Sequence, residues 1–171
     1  TRPALISSPL RSRFSGGVHR LEFYTDNEMK EIVKRASLLL GTEADEGAVE
    51  EIAKRARFTP RTSNYFLKRA RDYAQINKEK LTKENVRKAL ELLGVDDIGL
   101  FETDRNLLRT IIEKFGGGPV GLNTLAAATS EEEATIEEVI EPYLLRLGLL
   151  ERTPRGRTAT EKAYVHLGIT K

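Results

Sequence analysis

The sequence predicts a mainly α fold: a small bundle of four short helices, then a winged-helix domain that ends in a β-hairpin wing. Three observations lead there. Across residues 25–93 apolar residues recur at helical spacing in four blocks separated by glycine or turn residues. Beyond residues 95–100, which read as a linker, three further helical blocks follow. Two short runs, 149–153 and 157–160, then flank Pro154-Arg155-Gly156 as a hairpin. Three helices followed by a hairpin is the order of a winged helix.

Taken in chain order, residues 1–24 read as extended or irregular, because Pro3 and Pro9 discourage a long helix. Val18, Leu21 and Phe23 alternate with polar neighbours and suggest a short strand. Thr25 and Glu28 form a capping box, after which Met29, Ile32, Val33, Ala36, Leu39 and Leu40 keep helical spacing up to Gly41. A second helix starts near Glu46, with Val49, Ile52, Ala53 and Ala56 on one face. Thr59 as N-cap and Pro60 at the first helical position open the third. Thr82 caps the fourth, which Gly94 stops. In the second domain, Leu107 to Phe115 mark one helix, broken by Gly116-Gly117-Gly118-Pro119, and Leu122, Leu125 and Ala126 a short second one. Ser130 and Thr135 each offer an N-cap to the third, and Pro142 should bend or interrupt it. The resulting division is 1–24, 25–94 and 95–171.

Composition narrows the function. The 171 residues carry 32% charged and 39% apolar side chains and a net charge of only +2, so nucleic-acid binding has to rest on where the charges sit. Without cysteine there are no disulfides or thiolate metal sites, and two distant histidines make no zinc site. No apolar run reaches the ~20 residues of a membrane span, and the start lacks a signal-peptide core, which favours a cytoplasmic setting. The chain starts at Thr1 with Met29 its only methionine, and reads as a piece beginning inside a domain. A phosphate loop of the Gly-x-x-x-x-Gly-Lys-Ser/Thr type is absent, as are a strand ending in paired acids and any Ser–His–Asp or Cys–His arrangement, so the chain alone should turn over no ATP.

Three groups of residues could carry function. Arg152, Arg155 and Arg157 lie within six positions at the hairpin tip. If Arg152 and Arg157 flank the turn in paired strands, both guanidinium groups point to one side, where arginine forks suit backbone phosphates; the bland alternative is a solvated basic turn. The third helix of this domain holds Glu131, Glu132, Glu133, Glu137, Glu138 and Glu141, which would repel phosphates in a major groove. DNA contact therefore falls to the wing, reading backbone rather than bases. Arg61, beside the amides of a helix start, makes a polyphosphate site unless it pairs with Glu50, Glu51 or another acid. Arg11 and Arg13 could project from a segment anchored by Leu10 and Phe14 toward a phosphate in a neighbouring subunit. His19 and His166 read as ordinary surface groups.

The stretches TRPALISSPLRSRF, RLEFYT, TPR, LLRTIIEKFGGGPVGLNTLAAA, EPYLL and RTPRGRTAT resemble the RuvB family over essentially the whole chain. These are hexameric AAA+ ATPases that drive branch migration of Holliday junctions in recombination and repair. The resemblance implies the end of a large ATPase domain (1–24), a helical AAA+ lid (25–94) and a winged-helix DNA-binding domain (95–171). It implies nucleotide contacts at Thr1 (sensor 1), Tyr24 and Arg61 (sensor 2), and a catalytic arginine finger at Arg13. It implies DNA contacts at Arg152 and Arg157. ATP or ADP with magnesium, RuvA, RuvC and a homo-hexamer follow as the intact protein's cofactors and partners, with no tight nucleotide binding by this piece alone. The sequence departs from the family at Ser15-Gly16-Gly17, one residue longer than usual, at Phe58, where the family has glycine, and over residues 62–66. A free-standing winged-helix regulator and a structural adaptor are the competing readings.

Overall fold

The computed structural model of the chain describes residues 7–13 and 22–170. Thr1 and, of the expected strand, Val18 and Leu21 lie outside them, and Phe23 is described but forms no strand. Helix α1 (Ser8–Arg13) replaces the expected irregular segment. Its proline is in the first turn, where a missing amide costs no helical hydrogen bond. Four helices follow: α2 (Asp26–Leu39), α3 (Glu46–Arg55), α4 (Pro60–Asn77) and α5 (Lys83–Leu92). The Thr25–Glu28 capping box is formed, with the Thr25 amide donating to the Glu28 carboxylate at 2.7 Å. Met29, Val33, Ile52, Phe66, Leu67 and Leu90 fill the core between these helices.

The second unit begins with α6 (Glu102–Arg109), which continues as a π-helical turn over Thr110–Lys114. Helix α7 (Leu122–Thr129) is followed by a composite third helix: α8 (Glu133–Thr135), a π-helical segment (Ile136–Ile140) and α9 (Glu141–Leu147). Pro142 explains the widening. It has no amide for the Glu138 carbonyl and its ring would collide with it, and the looser turn upstream relieves both. Neither expected cap holds this helix. Ser130 is left-handed and ends α7, Thr135 lies within the helical run, and Glu132 is the N-cap. Strands β1 (Leu150–Thr153) and β2 (Gly156–Ala159) form the antiparallel wing, and α10 (Glu161–Leu167), absent from the sequence reading, packs Ala163 and Tyr164 into the second core.

The 95–100 segment is built into both units. Val95 is buried in the first core and Leu100 in the second. Arg55, fully buried, donates to the Val95 carbonyl and to Asp97 at 2.8 Å. Arg57 donates to the Gly99 carbonyl at 3.0 Å and pairs with buried Asp104. From the other side the Tyr143 hydroxyl donates to the Ile98 carbonyl at 2.6 Å, Arg105 caps the Gly94 and Leu100 carbonyls, and His166 meets Asp96 at 2.8 Å. His166 is thus a tie to this segment and not the ordinary surface group expected of it.

Candidate nucleic-acid interface

The wing is held in place from the turn outward. In its two-residue turn the Thr153 hydroxyl donates to the Gly156 carbonyl at 2.9 Å and accepts from the Arg155 amide at 3.3 Å. Gly156 has φ +137°, and a Cβ there would meet the Val120 backbone. Val120 and Arg157 exchange backbone hydrogen bonds of 2.9 and 2.8 Å, an antiparallel bridge on the other edge of β2. The Gly-Gly-Gly-Pro run therefore does more than end a helix. Its Gly118, at φ +98°, passes so close to the Arg157 carbonyl that no side chain fits.

Arg152 and Arg157 are directly opposite in the register, so both side chains leave the same face of the hairpin. That face meets the third helix. Arg157 Nε donates to Glu141 at 2.6 Å and its terminal nitrogen to Glu137 at 3.3 Å. Arg152 pairs with Glu141 and, at 3.4 Å, with Glu137. The Glu141 hydrogen bond holds the Arg152 guanidinium above its ordinary pKa. Two of the six carboxylates expected to repel phosphate are thus neutralised by the wing. The sequence reading missed this cluster, although Glu137 and Glu141 one turn apart, opposite two arginines in register, is its signature. Arg155, at the turn, is exposed and its guanidinium makes no hydrogen bond or ion pair within the described residues.

The other predicted site residues are spread over the lid and the amino-terminal segment. Arg61 is the second residue of α4 and exposed. The acids proposed as its structural partners are taken: Glu50 by Lys30, and Glu51 by Arg55 and Arg87. Thr59 caps α4 by backbone position only. Its hydroxyl donates to the Ala56 carbonyl and meets the Thr62 hydroxyl, leaving the first free amides of an 18-residue helix without a side-chain acceptor. Arg13 ends α1, exposed and without a partner among the described residues. Leu10, expected as an anchor, is exposed, and Phe14 lies outside the described residues. Tyr24 is exposed beside a shallow hollow lined by Asn27, Glu28 and Lys30, which does not include Arg61. Among the described residues no group of His, Asp and Glu comes together to hold a metal ion, and no helix is long and apolar enough to cross a membrane.

One further set of residues was not foreseen. Arg57 and Phe58 are consecutively left-handed, both at φ 55°. Phe58 thus has a conformation that glycine adopts freely, at the position where the family's glycine was expected. The Arg146 guanidinium, on α9, lies between the Phe58 and Phe23 rings at 4.3 and 4.5 Å. This sandwich joins the segment before α2, the turn before α4 and the winged helix.

A four-helix bundle is joined to a winged helix whose wing presents arginine. The RuvB AAA lid domain model matches residues 24–96 and the RuvB C-terminal winged helix domain model matches residues 97–168. The chain belongs to the RuvB family. It is 57% identical over 165 residues to the Holliday junction branch migration complex subunit RuvB of Koribacter versatilis, covering 96% of this chain and 46% of that protein. With the same subunit of Chloroflexus aggregans it shares 57% identity over 171 residues, covering 99% of this chain and 48% of the relative. The solved structure of the Thermotoga maritima RuvB Holliday junction branch migration motor superposes with a TM-score of 0.92 at 52% identity, covering 99% of this chain and 57% of that one. The chain spans about half the length of the curated relatives that it matches.

Proposed function

We propose that this chain is the lid and DNA-gripping portion of an ATP-driven translocase that promotes branch migration of Holliday junctions. Residues 1–24 are the end of a large ATPase domain, 25–94 the lid and 95–171 the winged helix. The observation that carries the reading is the wing: Arg155 at the turn, without a side-chain partner among the described residues, and Arg152 half exposed beside it, on a hairpin fixed to the domain body. Such a tip donates to backbone phosphates without reading bases. The free-standing regulator is not favoured, because the acidic third helix suits no groove and both halves match RuvB domains in order.

The amides at the start of α4 and Arg61, which has no partner among the described residues, fit a polyphosphate. Arg61 would hold a nucleotide phosphate on the lid, and Thr1 and Tyr24 would contact the same nucleotide. Arg13 would reach the nucleotide of the neighbouring subunit in a homo-hexamer. When bound with magnesium, ATP supplies the cleavable phosphoanhydride that powers movement. Without the large domain, tight nucleotide binding by this chain is not expected. RuvA and RuvC are the partners of the assembled machine in the cytoplasm. The test is binding of the chain to several unrelated duplexes, with and without Arg152→Ala and Arg155→Ala. Weakening by a similar factor on every sequence is expected. Strong preference for one sequence would support the regulator instead.

A further inference from the structure

The four-residue cluster under the wing is graded in depth. Glu141 is 1% exposed and Arg157 11%, whereas Glu137 is 29% and Arg152 48% exposed. The inner pair, joined at 2.6 Å, is part of the fold. At the outer pair a carboxylate oxygen is 3.4 Å from a guanidinium that solvent also reaches. Within the cluster two arginines face two glutamates, so without DNA the acids offset the charge that these two arginines would offer phosphate. Yet a guanidinium has five donors, and Glu137 and Glu141 meet the same Arg152 nitrogen, so the other two nitrogens make no bond among the described residues.

We infer that Glu137 is an internal phosphate mimic: its carboxylate shares one terminal Arg152 nitrogen with Glu141 until a DNA backbone phosphate replaces it. This rests on the reading of the wing as the duplex-contacting surface. Glu141 is a positioning residue that aims Arg152, and Arg157 braces both acids from below. Such an arrangement suits a protein that must grip and release a backbone repeatedly. The internal anion limits affinity and recaptures the arginine on release.

The experiment measures duplex affinity of the full 171-residue chain as wild type, Glu137→Gln, Arg152→Ala and the double variant, using a short mixed-sequence duplex. Glu138→Gln serves as a charge-matched neighbour, and Arg155→Ala reports on the wing itself. Glu137→Gln should tighten binding about two- to fivefold, the scale of a half-exposed pair. Most of that gain should vanish in the Arg152→Ala background, and Glu138→Gln should give less. Thermal unfolding of each variant checks that the fold is kept. Equal gains in both arginine backgrounds would mean general charge repulsion and overturn the proposal. So would no gain from Glu137→Gln while Arg155→Ala weakens binding, which leaves the wing reading standing. If neither Arg152→Ala nor Arg155→Ala changes affinity, the wing reading falls and the proposal with it.

Discussion

Single side chains decide how the two halves are joined. The Tyr143 phenol is buried and donates to the Ile98 carbonyl, and burial pushes its pKa up to about 12 from an ordinary 10.0. A phenol harder to ionise when folded contributes stability that is complete below pH 10.0 and disappears as pH rises toward about 12. Tyr143→Phe should therefore flatten the alkaline loss of stability between these limits. Parallel stability curves for the two proteins would show that the phenol is not held in this way. Glu51 works in the opposite direction. Burial would raise its carboxyl, but the Arg55 and Arg87 hydrogen bonds outweigh it and hold the group below its usual value. Its contribution is present above the ordinary carboxylate range and fades as pH falls. At this scale the sequence was only partly legible. The arginines of the wing stand out as a cluster, but the sequence does not show that Glu141 and Glu137 hold Arg152 and Arg157. Such pairing depends on a helix and a hairpin meeting in space. Phe58 was legible as a departure from the family, but its left-handed backbone was not.

Elements were more legible than their junctions. The capping box at Thr25, the Thr59-Pro60 helix start and the Thr82 cap each lie within a few consecutive residues, so local chemistry reveals them. The strands were placed within a residue of β1 and β2. What escaped was set by partners distant in sequence. Helix α10 is short and gains its place by burying Ala163 and Tyr164. The 95–100 segment resembles a linker in composition but is clamped by Arg55, Arg57, Arg105 and Tyr143. The Arg57–Asp104 pair spans this junction and is almost wholly buried. Arg57→Ala would leave the Asp104 carboxylate with only the Phe101 amide, at a cost of about 3 kcal/mol. We expect the variant to unfold with the second unit loosened from the first, seen as a split or broadened calorimetric transition. A single sharp transition at the wild-type temperature would show that the pair does not couple them.

At the scale of the molecule, two small cores share a clasped connection, and the Phe23–Arg146–Phe58 sandwich adds a second link between them. Neither core is large, and each gains from the other: Phe101 packs against the first and Phe58 against the second. The proposed function depends on the wing engaging duplex phosphates. The most direct measurement is the salt dependence of duplex binding by the chain, wild type against Arg155→Ala. Losing one phosphate contact should lower the slope of log affinity against log salt by about 0.9 and weaken binding alike on unrelated sequences. An Arg155→Ala variant with unchanged slope and affinity would contradict the account.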